Sequence, residues 1–288
     1  KEIFNNRVYF SSSYFEELNY NNQYLAVVIK DKNQLKKIII DFADSSSINS
    51  DALSWCDTYG KINLKEEDKD LDPRIIPIGP SFGIKIYSFF ETFFYGIYNL
   101  LLTYNKIKNK RFFLSNYKSQ FIRERLSQYK VSNEEKFYVF FMSSLWKKET
   151  ETNNNRANFI LACKNNSRII FEGGFAPRKN NDIAGYENIT TNKRIKVKDY
   201  LNKIKSSFVV FNTPAVLDCH GWKLGEYLAM NKFIISTPLS RIMPGNFIEN
   251  VHYFKVDGSQ TQIENQLNIL ISISDEEKSN LKKNIEIY

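Results

Sequence analysis

The sequence contains few residues of the kinds that bind transition metals or form disulfides. Its 288 residues include two His and three Cys, and the Cys lack the spacing of a zinc site. We therefore expect neither a His-based metal centre nor a disulfide framework, and a reducing cytoplasm is the expected compartment. No secretory signal peptide pattern is visible. The Gly-x-x-x-x-Gly-Lys-Ser/Thr sequence is also missing, which disfavours a P-loop nucleotide hydrolase.

Length and composition predict a globular protein of two domains. A chain of 288 residues is long for one compact domain, and its hydrophobic content of 42% is sufficient for real cores. Aromatic residues make up 15% of the chain. Residues 130–136 are polar and predict an interdomain linker. We therefore expect an amino-terminal domain over 1–130 and a carboxy-terminal domain over 131–288.

The chain is basic, with a formal net charge of +8 and a pI of about 9.1. This balance suits nucleic acid, an anionic membrane surface or anionic small molecules as partners. The densest basic runs are 106–111 and 193–198. Neither run has the aromatic interleaving of an RNA-binding module, so we interpret both as solvated faces and expect no nucleic-acid partner.

Strand and helix patterns alternate regularly in the second half of the chain. Strands are predicted at 137–142, 168–171, 208–211, 233–238 and 252–256, and helices at 154–163, 196–205, 261–271 and 275–285. This alternation predicts a parallel sheet with right-handed crossovers. The first half is less regular, with strands predicted at 24–29, 37–40 and 54–61, a short apolar run at 75–80 that is broken by Pro, and a helix at 112–128.

A polar loop and a short helix lie between the strands at 208–211 and 233–238. The loop contains Asp218, and the helix opens near Gly221. Loops at the carboxyl ends of parallel strands are where open α/β sheets bind ligands, and a helix N-terminus there offers N–H groups to a phosphate. Glu226, one or two turns into the helix, can accept hydrogen bonds from both hydroxyls of a ribose. The unit therefore predicts a site for a nucleotide diphosphate.

The spacing from Asp218 to Glu226 resembles the Glu-x7-Glu signature of GT-B glycosyltransferases, with Asp in place of the first Glu. Residues 220–229 and 234–238 resemble transferases that build bacterial surface polysaccharides of the capsular and O-antigen type, and the resemblance extends over 137–257. It implies a GT-B-like α/β fold, in which two Rossmann-like domains with parallel sheets face an interdomain cleft. The donor would bind the carboxy-terminal domain and the acceptor the amino-terminal one.

The resemblance also implies roles for individual residues of the motif. Glu226 would bind the ribose, while Asp218 and His220 would face the donor sugar. The helix start at Gly221, with Lys223, would face the diphosphate. The alternative for Glu226 is a solvated helix carboxylate, and for Lys223 an ion pair with one of the two acids. Trp222 is interpreted as core packing against the sheet.

Further donor-site candidates follow the predicted strands at 137–142 and 168–171. Those residues are Ser144, Lys147, Lys148, Arg156, Gly173, Gly174 and Arg178. Ser144 stands where the family often has Arg, which leaves Lys147 or Lys148, with Arg156, to neutralise the leaving diphosphate. Ordinary surface charge is the alternative for the lysines, and a simple turn is the alternative for the glycine pair. No metal is expected to be required.

Acidic residues of the first half are candidates for the acceptor side. Asp41 and Asp44 follow the predicted strand at 37–40, and Asp57 lies within the one at 54–61. If the reaction inverts the anomeric centre, one of them would deprotonate the acceptor hydroxyl. If it retains the configuration, Asp218 would stabilise an ion pair instead. Each Asp is otherwise an ordinary loop or cap residue.

The segment 84–107 is long, aromatic and nearly uncharged. Its length approaches the roughly 20 apolar residues of a membrane span, but Glu91, Asn99 and several hydroxyl groups argue against a span. The favoured interpretation is a buried helix of the first domain. The other is a helix in the membrane interface, with contact through 84–111 and with basic side chains on anionic headgroups. Those side chains are Lys106, Lys108, Lys110 and Arg111.

These patterns together predict a metal-independent hexosyl- or deoxyhexosyltransferase. It would move a sugar from a nucleotide diphosphate sugar to a saccharide or lipid-linked acceptor in surface polysaccharide synthesis. It would act in the cytoplasm or peripherally at the inner face of the membrane. One alternative is a non-catalytic GT-B-like binding or scaffold protein at the membrane. Another is a nucleotide-sugar epimerase or hydrolase, for which only His220 and His252 supply imidazoles.

Overall fold

The computed structural model describes residues 13–18, 21, 23–32, 34–102, 104–105, 107, 109–130, 133–180 and 182–288. The chain divides into two compact units. The smaller unit comprises Lys1–Gly79 and Ser240–Pro244, and the larger comprises Pro80–Leu239 and Gly245–Tyr288. This division differs from the boundary expected at 130/131, because residues 80–130 pack within the larger unit. Glu124, for example, forms an ion pair with Lys205.

The smaller unit is built on one four-stranded sheet. Its strands, in spatial order, are β1 (Tyr24–Asp31), β2 (Gln34–Asp41), β3 (Thr58–Lys61) and β4 (Ile75–Pro77). β1 is antiparallel to β2, whereas β2, β3 and β4 run parallel. A short helix, α1 (Ser50–Trp55), connects β2 to β3, so the strand predicted over 54–61 is wrong for its first residues. Asn49 begins α1 by accepting a hydrogen bond from the Ala52 N–H.

The larger unit contains five parallel strands. They are β5 (Tyr138–Ser144), β6 (Ile170–Ala176), β7 (Val209–Asn212), β8 (Phe233–Ser236) and β9 (Phe254–Lys255). β5 pairs with β6, and β8 lies between β7 and β9. The Phe208 N–H donates to the Tyr138 carbonyl at 3.0 Å, and the Phe140 N–H donates to the Ser207 hydroxyl at 2.8 Å. These bonds place β7 beside β5, and the parallel α/β prediction is confirmed.

Helices accompany these strands along the chain. They are α2 (Phe89–Leu102), α3 (Lys110–Phe121), α4 (Leu126–Tyr129), α5 (Thr150–Asn165), α6 (Val197–Ser206), α7 (Trp222–Ala229), α8 (Gln260–Ser272) and α9 (Asp275–Ile287). The last two begin at Ser259 and Ser274, whose hydroxyls accept N–H bonds from the first turn. The core is formed by apolar residues of the parallel strands, such as Val209 and Ile235, which pack against α5 and α8.

The segment interpreted as a buried helix does form a helix, α2, but its burial is contradicted. Phe89, Phe90, Phe93 and Phe94 are all exposed, and within α2 only Gly96 and Asn99 are buried. None of the helices in the described ranges has the length and apolar character needed to cross a membrane. Two of the basic side chains assigned to headgroup contact, Lys106 and Lys108, lie outside the described residues.

Candidate functional site

The predicted strand–loop–helix–strand unit is present as β7, a loop, α7 and β8. The loop passes through a 3₁₀ turn, Val216–Asp218, and Gly221 begins α7 in an extended conformation. Gly225 lies where α7 packs closely against the backbone of residues 80–82: a Cβ atom there would lie 2.6 Å from the Pro80 carbonyl oxygen. Only glycine allows this approach, which brings residues 80–82 next to the acidic turn of α7.

Glu226 points into the protein and is 4% exposed. Its Oε1 lies 3.5 Å from Arg123 Nη1, which is longer than an ordinary charge-assisted hydrogen bond. Burial raises the pKa of the Glu226 carboxyl, and the positive charges of Arg123 and Lys223 act in the opposite direction. Glu226 is therefore a buried acceptor that, within the described residues, is compensated by nearby charge rather than by short hydrogen bonds.

Lys223 lies one turn before Glu226 on α7 and is half-buried. Its ammonium donates to the Met142 carbonyl of β5 at 2.5 Å and lies 5.2 Å from the centre of the Phe141 ring. Burial, together with repulsion from the Arg156 guanidinium, lowers the pKa of Lys223 to about 7, although the Glu226 carboxylate acts in the opposite direction. With a pKa this low, the charged form of Lys223 would be stabilised by a nearby anion.

Arg156 is buried on α5, at the carboxyl ends of β5 and β7. Its Nε donates to the Thr213 hydroxyl at 2.9 Å, and its Nη1 donates to the Ser144 carbonyl at 3.2 Å. Burial lowers the pKa of Arg156 to about 10. Across the part of the chain that the structure describes, neither Arg156 nor Lys223 forms an ion pair with a carboxylate. Arg156 and Lys223 thus lie close enough to repel each other, Glu226 lies near Lys223, and an anion would relieve the repulsion between the two cations.

The other predicted cations lie in a different network. Lys147 forms an ion pair with Asp182 at 2.7 Å, and Arg178 forms one with the same carboxylate. Hydrogen bonds from Arg178 and Lys147 hold the pKa of Asp182 far below its usual range. Arg178 also donates to the Leu145 carbonyl at 2.7 Å, and Lys148 is exposed. This loop is therefore held together by its own charges, and the contacts do not bring it to Glu226.

The two glycines of β6 have a packing reason for their identity. Gly173 and Gly174 have φ of 122° and 140°, a region that side chains rarely adopt. A Cβ atom would lie 2.0 Å from the Phe141 carbonyl oxygen at the first and 2.4 Å from the Ile189 carbonyl oxygen at the second. Close backbone packing explains both residues, and a donor contact for them stays a prediction.

The remaining motif residues occupy different surroundings. His220 is buried, whereas Asp218 is exposed and has a φ of 58°. The expectation that Trp222 packs into the core is wrong, because its side chain is 59% exposed. Its ring lies 5.8 Å from the Arg123 guanidinium carbon. The first residue of α7 therefore flanks the cation that pairs with Glu226.

In the smaller unit, the Asp41 carboxylate is buried and fully engaged. It accepts hydrogen bonds from the Tyr59 hydroxyl at 2.5 Å and from the Ala43 N–H at 2.9 Å, and it lies 3.0 Å from Lys61 Nζ. Burial and the bond to Asp41 raise the pKa of Tyr59. Asp44 is exposed. Asp57 accepts from the Lys37 N–H at 2.7 Å, in the middle of β2 and four residues before Asp41.

Several residues of the site were not identified from the sequence. Arg123 was assigned to a helix over 112–128, but α3 ends at Phe121 and Arg123 lies in the break before α4. Thr213 follows β7 directly, and that position at a strand end was the signal that could have found it. No sequence pattern identifies Pro80, because its contact with Gly225 of α7 exists only in the folded chain.

Two stretches of the chain match catalytic motifs in sequence but not in structural context. Residues 79–83 read Gly-Pro-Ser-Phe-Gly, but no helix follows until Phe89, whereas a nucleophile elbow needs a strand–turn–helix unit. Residues 68–72 contain two Asp-x-Asp sequences in a charged loop. No group of three or more His, Cys, Asp or Glu side chains within the described ranges could hold a metal ion. Metal independence stays a prediction.

No protein-family model and no curated protein matches the sequence. Similar solved structures include the C-terminal domain of the glycosyl transferase group 1 family protein LpcC from Francisella tularensis. It has 14% identity and a TM-score of 0.38, over 56% of this chain and 94% of that chain. WaaG, a glycosyltransferase involved in lipopolysaccharide biosynthesis, has 12% identity and a TM-score of 0.41, over 80% of this chain and 58% of WaaG.

The N-terminal domain of Candida albicans trehalose-6-phosphate phosphatase is also similar. It has 11% identity and a TM-score of 0.42, over 82% of this chain and 55% of that chain. This chain thus spans little more than half the length of WaaG and of the phosphatase domain. Glycosyltransferases are among the similar structures, as the resemblance in the sequence predicted. At these TM-scores, the roles of individual residues depend on the geometry of this chain alone.

Proposed function

We propose that this protein is a glycosyltransferase that uses a nucleotide diphosphate sugar as donor. The observation that carries the proposal is the surroundings of Glu226, a buried carboxylate without a short hydrogen bond among the described residues. Lys223 lies near it, Arg156 lies near Lys223, and neither cation forms an ion pair with a carboxylate of the described residues. Ribose hydroxyls are donors that suit the first feature, and a diphosphate is an anion that suits the second.

The proposal assigns each part of the donor to one of these residues. Lys223 and Arg156 reach the carboxyl ends of β5 and β7 from two different helices, and their charges would meet the diphosphate. Glu226 would accept the ribose hydroxyls at shorter distances than its 3.5 Å contact with Arg123. Asp218 and His220, in the loop before α7, would face the donor sugar. Positive charge that is fixed in a partly desolvated site stabilises the diphosphate as a leaving group.

The finer assignments belong to the same proposal. The acceptor would be a saccharide or a lipid-linked saccharide in surface polysaccharide synthesis, and the transferred sugar a hexose or deoxyhexose. The reaction would need no metal ion and would take place in the cytoplasm or at the inner face of the membrane. Asp41 is bound to Lys61 and Tyr59, which makes it a weak candidate for the base, whereas Asp44 is exposed.

Nucleoside diphosphate binding tests the donor site directly. A ligand at a hundredfold excess over its dissociation constant adds about 2.7 kcal/mol to the free energy of unfolding, so thermal stabilisation would identify the preferred base. Glu226→Gln should weaken that nucleotide by roughly 10- to 100-fold, because a hydrogen bond to a charged group contributes about 1.5–3 kcal/mol. The matched control is Glu286→Gln, an exposed acid on α9. Equal affinity in wild type and Glu226→Gln would refute the ribose assignment.

Turnover of a radiolabelled nucleotide sugar separates an enzyme from a non-catalytic binding protein. The family often has Arg where this chain has Ser144, and that difference favours the scaffold as the second candidate. An enzyme should transfer or hydrolyse the donor in wild type and lose this activity in Arg156→Gln. Nucleotide binding without turnover of any donor would support the scaffold. His252 adds little to an epimerase assignment, because its Nδ1 accepts from the Ile248 N–H at 2.9 Å and its ring stacks on Phe247.

A further inference from the structure

The helix α2 has its polar and apolar sides reversed relative to an ordinary surface helix. Thr92, Gly96 and Asn99 share the side that faces the protein. The opposite side carries large apolar residues in water: Phe90 is 81% exposed, and Phe93 and Leu101 are both 68% exposed. A surface helix of a globular protein normally turns its apolar side to the core.

Polar contacts with α3 fix this orientation. The Asn99 side chain donates to the Tyr117 hydroxyl at 2.7 Å, and the Gln120 side chain donates to the Thr92 hydroxyl at 3.0 Å. Gly96 faces α3 as well, and a Cβ atom there would lie 3.5 Å from the Tyr117 ring, an ordinary contact distance. Rotating α2 to bury its phenylalanines would break both hydrogen bonds. The outward apolar face is therefore a feature of the packed hairpin formed by α2 and α3.

The same part of the chain carries most of the net positive charge. Residues 80–130 contain nine Lys and Arg against two Glu, so they contribute seven of the eight net positive charges. Of the two acids, Glu124 is paired with Lys205, and Glu91 accepts a bond from the Ser88 N–H at the start of α2. Arg111 and Lys118, on α3, are exposed. Aromatic and basic side chains thus occur together on one hairpin.

We propose that the α2–α3 hairpin docks on the surface of a membrane that contains anionic phospholipids. The exposed aromatic face would enter the boundary between headgroups and acyl chains, where amphipathic helices with basic residues lie. The Arg and Lys side chains of α3 would contact lipid phosphates. A contiguous apolar patch that is exposed on a protein surface marks an interaction site.

The charge distinguishes a membrane from a second copy of the chain. A symmetric dimer through this face would bring two equally cationic hairpins together, and like charges at an interface oppose association. An anionic lipid surface has the complementary sign. The proposal is independent of glycosyl transfer, because it depends on the hairpin and not on Glu226 or its neighbours.

Vesicle flotation tests the surface without any nucleotide. The wild-type chain is mixed with vesicles of phosphatidylcholine, either pure or containing phosphatidylglycerol as the anionic lipid. We expect binding to the anionic vesicles, with at least tenfold weaker binding to the neutral ones and a further loss at high salt. Replacing Phe90, Phe93, Phe94 and Leu101 by Ser should lower the affinity for anionic vesicles by roughly 100-fold. The matched control replaces two exposed apolar residues of α8 and α9, Ile269→Ser and Ile287→Ser.

Two further variants separate the contribution of charge from that of apolar area, and they control for misfolding of the serine variant. Arg111→Glu with Lys118→Glu should weaken binding to anionic vesicles by roughly tenfold or more and leave neutral vesicles unaffected. Phe90→Trp retains an aromatic side chain and should show a blue-shifted emission, over the wild-type background, when anionic vesicles are added. Unfolding temperatures of all variants are compared with that of the wild type.

Three outcomes would overturn the proposal. One is the absence of wild-type binding to any vesicle. Another is a pattern of vesicle binding that the proposal does not allow, either because the serine variant retains full affinity or because the affinity does not depend on lipid charge. The last is a stable dimer, seen by light scattering, that the serine variant loses and that does not float with vesicles. None of these results involves nucleotide binding, so failure here leaves the donor site untouched.

Discussion

Replacing Gly225 by Ala should destabilise the larger unit, although Ala forms helices more readily than Gly. A Cβ atom at this position would lie 2.6 Å from the Pro80 carbonyl oxygen and 2.9 Å from Phe82 Cδ1. An ordinary contact begins at about 3.4 Å, so the backbone at Pro80 would have to retreat by about 0.8 Å. Overpacking of this kind costs about 1–3 kcal/mol, against a helix-propensity gain of about 1 kcal/mol. The net loss should therefore be up to about 2 kcal/mol.

Gly96 provides the matched control, because it is also a buried glycine within a helix. A Cβ atom there would meet the Tyr117 ring at 3.5 Å and Leu114 Cδ2 at 3.8 Å, which are ordinary contact distances. Gly96→Ala should therefore gain the propensity term and become more stable by up to about 1 kcal/mol. The sign of the change should thus differ between two chemically identical substitutions.

Urea unfolding followed by circular dichroism would measure both free energies, and calorimetry would give the midpoints. For a unit of this size, a change of 1 kcal/mol shifts the melting temperature by about 2–4 °C. We expect Gly225→Ala to melt several degrees below the wild type and Gly96→Ala slightly above it. If Gly225→Ala proves as stable as Gly96→Ala, the close approach of residues 80–82 to α7 is refuted.

Two further predictions concern buried charge. Lys223 has a pKa of about 7 in the folded chain against 10.5 for an ordinary lysine, so between these values the unfolded state binds a proton that the folded state does not. The stability of wild type relative to Lys223→Met should therefore rise from pH 7 upwards, and urea unfolding at several pH values would measure it; a flat difference would contradict the burial of the amine. Asp41→Asn should cost about 3–5 kcal/mol by leaving Lys61 buried without its partner, whereas the exposed Asp44→Asn should cost little; the same urea assay compares them.

The sequence was sufficient to predict the parallel layer and the motif unit, because both depend on local periodicity. Continuous apolar runs such as 208–211 are typical of strands buried on both faces, and all but the run at 233–238 were followed by a helical pattern. The observed helix α7 and strand β8 fall where these runs placed them. Glu226 could be predicted as a site residue because a strand end and a helix start confine its position, and its role in binding stays a prediction.

Long-range packing was not predictable in the same way. Arg123 reaches Glu226 only because α3 ends at Phe121 and the chain turns there, and no spacing in the sequence links two residues that lie so far apart. Trp222 was placed in the core because tryptophan is usually buried, yet the first residue of α7 points away from the sheet.

The misassigned burial of α2 has a more instructive cause. Its aromatic content indicated a core helix, but content does not say which side faces the protein. Thr92, Gly96 and Asn99 recur at spacings of four and three residues, which places them on one helical face. Reading the small and polar residues as the packing face, as is usual between helices in membranes, would have predicted the observed orientation.

Arg123 connects the hairpin to the proposed donor site. It follows the last residue of α3 by two positions, pairs with Glu226 at 3.5 Å and lies against the Trp222 ring. Burial favours the neutral acid form of Glu226, and Arg123 is the strongest opposing charge among the described residues. Any displacement of α3 that withdraws Arg123 would raise the pKa of Glu226 further, and a protonated carboxyl accepts hydrogen bonds more weakly than a carboxylate. The position of the hairpin therefore bears on the charge state of the residue proposed to bind the ribose.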